Sequence, residues 1–125
     1  MNDKYESLLK QFNSALERLR EVLAMEKNII VRDSAIQRFE FTFELAWKTM
    51  RAYLLGKGAK DINFPKDVIR AAFLARLIPN DPRWLDMVDT RNKTSHLYKE
   101  SMAEEVYSEL NIYLPLFEEL LKILQ

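Results

Sequence analysis

Cysteine is absent from the 125 residues, which removes disulfides, a thiolate nucleophile and any sulfur-ligated metal site together. Glycine occurs twice and proline four times, so no Gly-rich phosphate-cradling loop and no Pro-rich linker is present. An excess of one charge is lacking too: nineteen Lys and Arg face nineteen Asp and Glu. Without a global field to hold polyanions, any nucleic-acid contact must be local. No stretch approaches the roughly 20 apolar residues of a membrane span, and the N-terminal MNDKYESLLKQF carries charges inside each short apolar run, unlike a signal peptide. A soluble cytoplasmic protein without membrane contact is the expectation. The length fits one domain over residues 1–125, large enough to bury a core without a metal or disulfides.

What the chain does have is helix-forming residues: it is rich in Leu, Glu, Lys, Arg and Ala. From Asp3 to about Glu26, the residues Leu8, Phe12, Ala15, Leu16, Leu19, Val22 and Leu23 follow the rhythm of a helix with one buried stripe. A second helix is expected from an N-cap at Asp33, burying Ile36, Phe39, Phe43, Ala46, Trp47, Met50, Tyr53 and Leu54, and ending at Gly56 or Gly58. A further apolar row on it, Phe41, Leu45, Ala52 and Leu55, fits either a homodimer surface or a central helix covered by the third. Pro65 suits the first turn of that third helix, FPKDVIRAAFLARLI; IPNDP interrupts, and WLDMVDTRN resumes behind a cap at Asn80 or Asp81, with Pro82 in its first turn. Ser101 with Glu104 reads as a capping box opening a last helix that buries Val106, Leu110, Leu114, Phe117 and Leu121 and is kinked at Pro115. Three helices of about 23 residues and two short ones describe an all-α fold: an antiparallel up-and-down four-helix bundle with one helix broken in two, five helices in all.

The single histidine, His96, lies in DTRNKTSHLYKES between the fourth and fifth helices. On an unbroken helix Arg91 and His96 would point roughly 140° apart and could not serve one small site. Thr94 and Ser95 favour turns through side-chain bonds to nearby backbone, so a break just before the histidine is compatible with bringing the two together.

Arg91-Asn92-Lys93-Thr94-Ser95-His96-Leu97-Tyr98 resembles the motif of the HEPN family: an arginine, a polar residue, a short spacer, a histidine and, in one toxin branch, a tyrosine two positions on. AIQRFEFTFELAWKTMRAYL, FPKDVIRAAFLARLI and the tryptophan of PRWLDMVDTRN are similar to the subfamily of nucleotidyltransferase substrate-binding proteins, so the resemblance covers nearly the whole chain. It implies a helical homodimer whose two motifs meet across a cleft, acting beside a minimal nucleotidyltransferase. Many such proteins are metal-independent endoribonucleases, and in the tyrosine-bearing toxins the partner silences them by attaching adenylate to that tyrosine. Others are non-catalytic subunits that bind a nucleotide or substrate. Lacking a phosphate loop, this chain is not itself the nucleotidyltransferase.

The residue types suit the first activity. Cleavage through the 2′-hydroxyl needs a base, a held phosphate and donors for the charge that develops. Imidazole titrates near neutrality, and guanidinium grips phosphate through two parallel bonds, so His96 and Arg91 are the catalytic candidates. Asn92 could orient phosphate or serve as an ordinary helix C-terminal residue. Lys93 and Lys99 add local charge for RNA or form solvated surface beside Asp86, Asp89 and Glu100. Tyr98 is the candidate for adenylylation, or a ring packed on the bundle end. No cofactor is called for, and Glu40 and Glu44 are better read as charge partners than as metal ligands; Glu44 before Lys48 is a helical pair worth about 0.2–0.5 kcal/mol.

Overall fold

In the computed structural model, which describes residues 3–125, the chain forms α1 (Asp3–Leu23), α2 (Ile29–Gly56), α3 (Pro65–Leu74), α4 (Arg83–Lys93), a single 3-10 turn (Thr94–His96) and α5 (Glu100–Leu124). There is no strand among the described residues. Helices α1, α2 and α5 pack on one another, while α3 and α4 share the fourth position of the bundle, with α3 against α2 and α4 against α5. The all-α bundle with one broken member is therefore the observed architecture.

The core sits where the apolar stripes converge. Phe12 from α1, Phe39 from α2, Trp84 from α4 and Phe117 from α5 are all buried. The Phe117 ring lies about 6 Å from each of the other three, in edge-on or tilted contacts. Such aromatic contacts add to burial because ring edges and faces carry opposite partial charges.

Several helix ends differ from expectation. The second helix is capped not by Asp33 but five residues earlier by Asn28, whose side chain accepts a hydrogen bond from the Val31 amide at 2.8 Å. Ile29 and Ile30, exposed there, carried no core periodicity to mark the added turn. Gly58, at φ +99°, takes the left-handed conformation that follows the end of α2 and that L side chains rarely adopt. Arg76, at φ +60°, turns the chain away after Leu74, so α3 is shorter than the apolar run through Ile78 implied. At α4 the Asp81 carboxylate accepts the Arg83 amide at 3.0 Å, satisfying a first-turn donor.

The capping box expected at Ser101 is not formed. The N-cap is Lys99, two residues earlier and without a side-chain cap bond, and Glu104 is drawn away to ion pairs with Lys27 and Arg32. Leu114 and Leu121 are half-buried; Tyr113, Leu116, Leu120 and Leu124 join Val106, Leu110 and Phe117 in the core. Pro115 lies within a helix that continues past it to Leu124.

Candidate functional site

The segment after α4 is built from three local devices. Thr94 Oγ1 donates to the Arg91 carbonyl at 2.7 Å and accepts from the Arg91 guanidinium at 3.2 Å, closing the helix end and turning the arginine back on it. The 3-10 turn then carries the chain to His96. Finally, the Tyr98 amide donates to the His96 carbonyl at 3.0 Å around Leu97 at φ −88°, ψ 66°, an inverse γ-turn. Leu97 packs against the core, anchoring the turn from inside.

That γ-turn brings His96 and Tyr98 side by side. His96 Nδ1 lies 3.2 Å from the Tyr98 hydroxyl, with the rings 6.0 Å apart and tilted by 48°. Both side chains are exposed, Tyr98 at 82%. A hydroxyl free in solvent beside an imidazole is open to an incoming phosphorus centre, and the tautomer decides which of the two donates.

Arg91 is held from the other side by α2. Its guanidinium lies 3.7 Å from Glu40 and 3.7 Å from Glu44, which stand one turn apart on one face. These contacts compensate the charge at more than hydrogen-bond length, and Arg91 Nε is buried with no hydrogen-bond partner. An unsatisfied buried donor costs free energy, here offset in part by the nearby Glu44 carboxylate, while the side chain as a whole remains 24% exposed. Glu44 also meets Lys48 at 3.8 Å, the expected helical pair, and accepts the Trp47 indole N–H at 3.3 Å.

Arg91 and His96 thus stand at the same helix exit with different neighbours. Among the described residues, no hydrogen bond or ion pair joins them. Thr94, bonded to Arg91, lines a cavity of about 430 Å³ together with Ile36, Gln37, Glu40, Leu97 and Tyr98, a lining that includes neither Arg91 nor His96. Lys93 lies 3.7 Å from Glu105, both on the surface, while Asn92 and Lys99 are exposed. Among the described residues, no group of three or more His, Cys, Asp or Glu is placed to hold a metal ion, and no helix is long and apolar enough to cross a membrane.

Two features went unseen in the sequence. Glu44 has Lys48 as its sequence-local partner, whereas packing of α4 on α2 brings Arg91 within 3.7 Å of both Glu40 and Glu44. Arg32 lies one residue before Asp33, the expected start of the second helix, and so outside its expected stripe. Arg32, Ile36, Phe39 and Phe43 follow spacings of four, three and four, so a charge lay in the buried stripe and was legible once the helix began at Ile29. Bonds from the guanidinium to Glu100 and then Asp33 push the Arg32 pKa upward, against the opposing effect of burial.

A five-helix bundle with an Arg/His/Tyr turn at the exit of its fourth helix defines a HEPN-type domain. The family model described as nucleotidyltransferase substrate binding protein like matches residues 3–125. The chain belongs to that family, within the HEPN group. A curated relative, the probable ribonuclease HepT of Haemophilus influenzae, is 34% identical over 93 residues, 68% of this chain and 64% of the relative. The match thus spans just under two thirds of the relative's own length. A crystal structure from Thermus thermophilus is 38% identical, with TM-score 0.84 over 91% of this chain and 98% of that one. HI0074 from H. influenzae, described as revealing the fold of a substrate binding domain of a nucleotidyltransferase, is 28% identical with TM-score 0.77 over 93% and 98% of the two chains. A tri-AMPylated Shewanella oneidensis HEPN toxin in complex with MNT antitoxin shares the fold, with TM-score 0.79 and 18% identity over 98% and 97%.

Proposed function

We propose that the protein is a HEPN-type endoribonuclease toxin, acting as a cytoplasmic homodimer without a metal ion and held in check by a minimal nucleotidyltransferase that adenylylates Tyr98. The observation that carries this reading is the exposed His96–Tyr98 pair, 3.2 Å apart on the turn that follows Arg91. The HepT likeness and the toxin fold neighbour support the same reading.

In the proposed reaction, His96 of one chain takes the proton of the RNA 2′-hydroxyl, the 2′-oxygen bonds to the adjacent phosphorus, and the bond from phosphorus to the 5′-oxygen breaks. The second copy of His96 returns a proton to that oxygen, leaving a 2′,3′-cyclic phosphate and a 5′-hydroxyl end. Arg91, its side chain 24% exposed, binds a non-bridging phosphate oxygen through the accessible part of its guanidinium. Asn92 orients the phosphate, and Lys93 and Lys99 add local attraction for the RNA backbone. The α2 row of Phe41, Leu45, Ala52 and Leu55 is the proposed dimer surface, with Phe41 54% and Leu55 39% exposed.

In the proposed silencing step, the Tyr98 oxygen bonds to the α-phosphorus of ATP, pyrophosphate leaves, and the phenolic proton passes to solvent. The phosphodiester formed places negative charge beside His96 and repels the substrate phosphate. A second reading, a non-catalytic subunit that binds a nucleotide or substrate for a nucleotidyltransferase, draws on the description of HI0074. RNA cleavage separates them. The purified wild-type protein is expected to cut RNA in the presence of chelator and His96→Ala to lose at least about a hundredfold in rate; equal cleavage by the variant defeats the nuclease reading, and none by either leaves the binding subunit.

A further inference from the structure

The start of α5 has no local cap. Every helix leaves its first amides without internal partners, yet Lys99 offers no side-chain acceptor to them. Glu104 lies one turn inside α5 and faces Lys27 and Arg32. What ties this helix end down is Arg32, reaching across from the first turn of α2. Its side chain is only 3% exposed, and its guanidinium donates to Glu100 at 2.5 Å, to Glu104 at 3.2 Å and to Asp33 at 3.0 Å. Glu100 stands two residues beyond Tyr98, and Arg32 and Tyr98 line the same cavity.

The turn is thus strung between two fixed points. At one end Thr94 is bonded to Arg91; at the other Glu100 is bonded to Arg32. A tether as short as residues 95–99 takes its geometry from both ends. A buried arginine cannot release its carboxylates cheaply, because the charge would be left without partners away from water. Its planar fork also holds three carboxylates in fixed directions, which a lysine cannot reproduce.

We propose that Arg32 is a positioning residue of the candidate site: a latch from α2 that sets where α5 begins and so holds the His96–Tyr98 turn in place. Its bearing on catalysis rests on the nuclease reading; its bearing on the turn does not.

The test compares full-length wild-type protein with Arg32→Gln, Arg32→Lys and Glu100→Gln by amide hydrogen exchange, and follows His96, the one histidine of the chain, by proton NMR. In Arg32→Gln the amides of residues 95–102 exchange about tenfold faster or more while those of α1 hold their protection, and the imidazole signal moves toward that of a free peptide of residues 94–99. Arg32→Lys restores part of the protection. Glu100→Gln, altering an exposed partner and leaving the packed arginine in place, moves the same amides less and decides the matter if Arg32→Gln does not fold. Unchanged exchange and imidazole signal in the turn, or exchange rising equally in every helix, overturns the latch. In the same samples kcat for RNA cleavage falls about tenfold with KM within about twofold; an unchanged kcat in a variant with a loosened turn overturns the catalytic link. A wild-type protein that cuts no RNA overturns the nuclease reading, while the exchange result still decides the latch.

Discussion

Arg91 illustrates how a residue can be readable as a type and hidden as a contact. Its place near the end of the fourth helix followed from the pattern around it, and its chemistry from the guanidinium. Its partners did not, because Glu40 and Glu44 are about fifty residues away in sequence and only packing brings α2 against α4. The His96–Tyr98 approach was closer to hand, since a break before the histidine was expected from Thr94 and Ser95. The inverse γ-turn that aligns the two rings, however, is a backbone event with no residue signature of its own. At this scale Tyr98 is directly testable. Incubation with ATP and the partner nucleotidyltransferase adds adenylate mass to the peptide containing Tyr98, and Tyr98→Phe, which lacks the attacking oxygen, takes up none there. Mass spectrometry that finds the adduct elsewhere, or nowhere, removes Tyr98 as the target.

Helices were legible where apolar residues kept their period, and helix ends were not. Asn28 caps α2 at a point where Ile29 and Ile30 face solvent, so the periodic signal starts only after the helix does. Replacing it, Asn28→Ala, is expected to cost about 1 kcal/mol in denaturant unfolding; a change within error would mean that the first turn is held by something other than its cap. At α5 the reverse holds, a local motif being present but outcompeted by tertiary bonds: Glu104 bonds to Lys27 and Arg32. Lys27 first and Arg32 second hold the Glu104 carboxyl below its ordinary value of 4.5. A carboxylate whose pKa is depressed by folding stabilises the native state fully above its unfolded value and loses that contribution as pH falls through the folded one. Stability should therefore decline below about pH 4.5, and Glu104→Gln should flatten part of that decline. Asp81, held low by Arg83, supplies a remaining slope. An unaltered acid limb in the variant would show that this carboxylate does not contribute to it.

At the scale of the molecule, the bundle was foreseeable because five amphipathic segments in 125 residues allow few other ways to bury their stripes, and Phe117 against Phe12, Phe39 and Trp84 is the result. The assembly was not foreseeable to the same degree. The second apolar row of α2 is left in part uncovered by α3, with Phe41 the most exposed of its members. If that row joins two copies, Phe41→Asp places a charge in an apolar contact and yields a monomer in sedimentation, without loss of helicity. A persisting dimer would move the contact elsewhere. In the proposed reaction two copies of His96 and Arg91 cleave RNA by way of its own 2′-hydroxyl. The most direct measurement is the chemistry of the new ends made in the presence of chelator. Wild-type protein should leave 2′,3′-cyclic phosphate and 5′-hydroxyl termini that His96→Ala does not produce; 3′-hydroxyl ends, or the same cyclic ends from the variant, would contradict it.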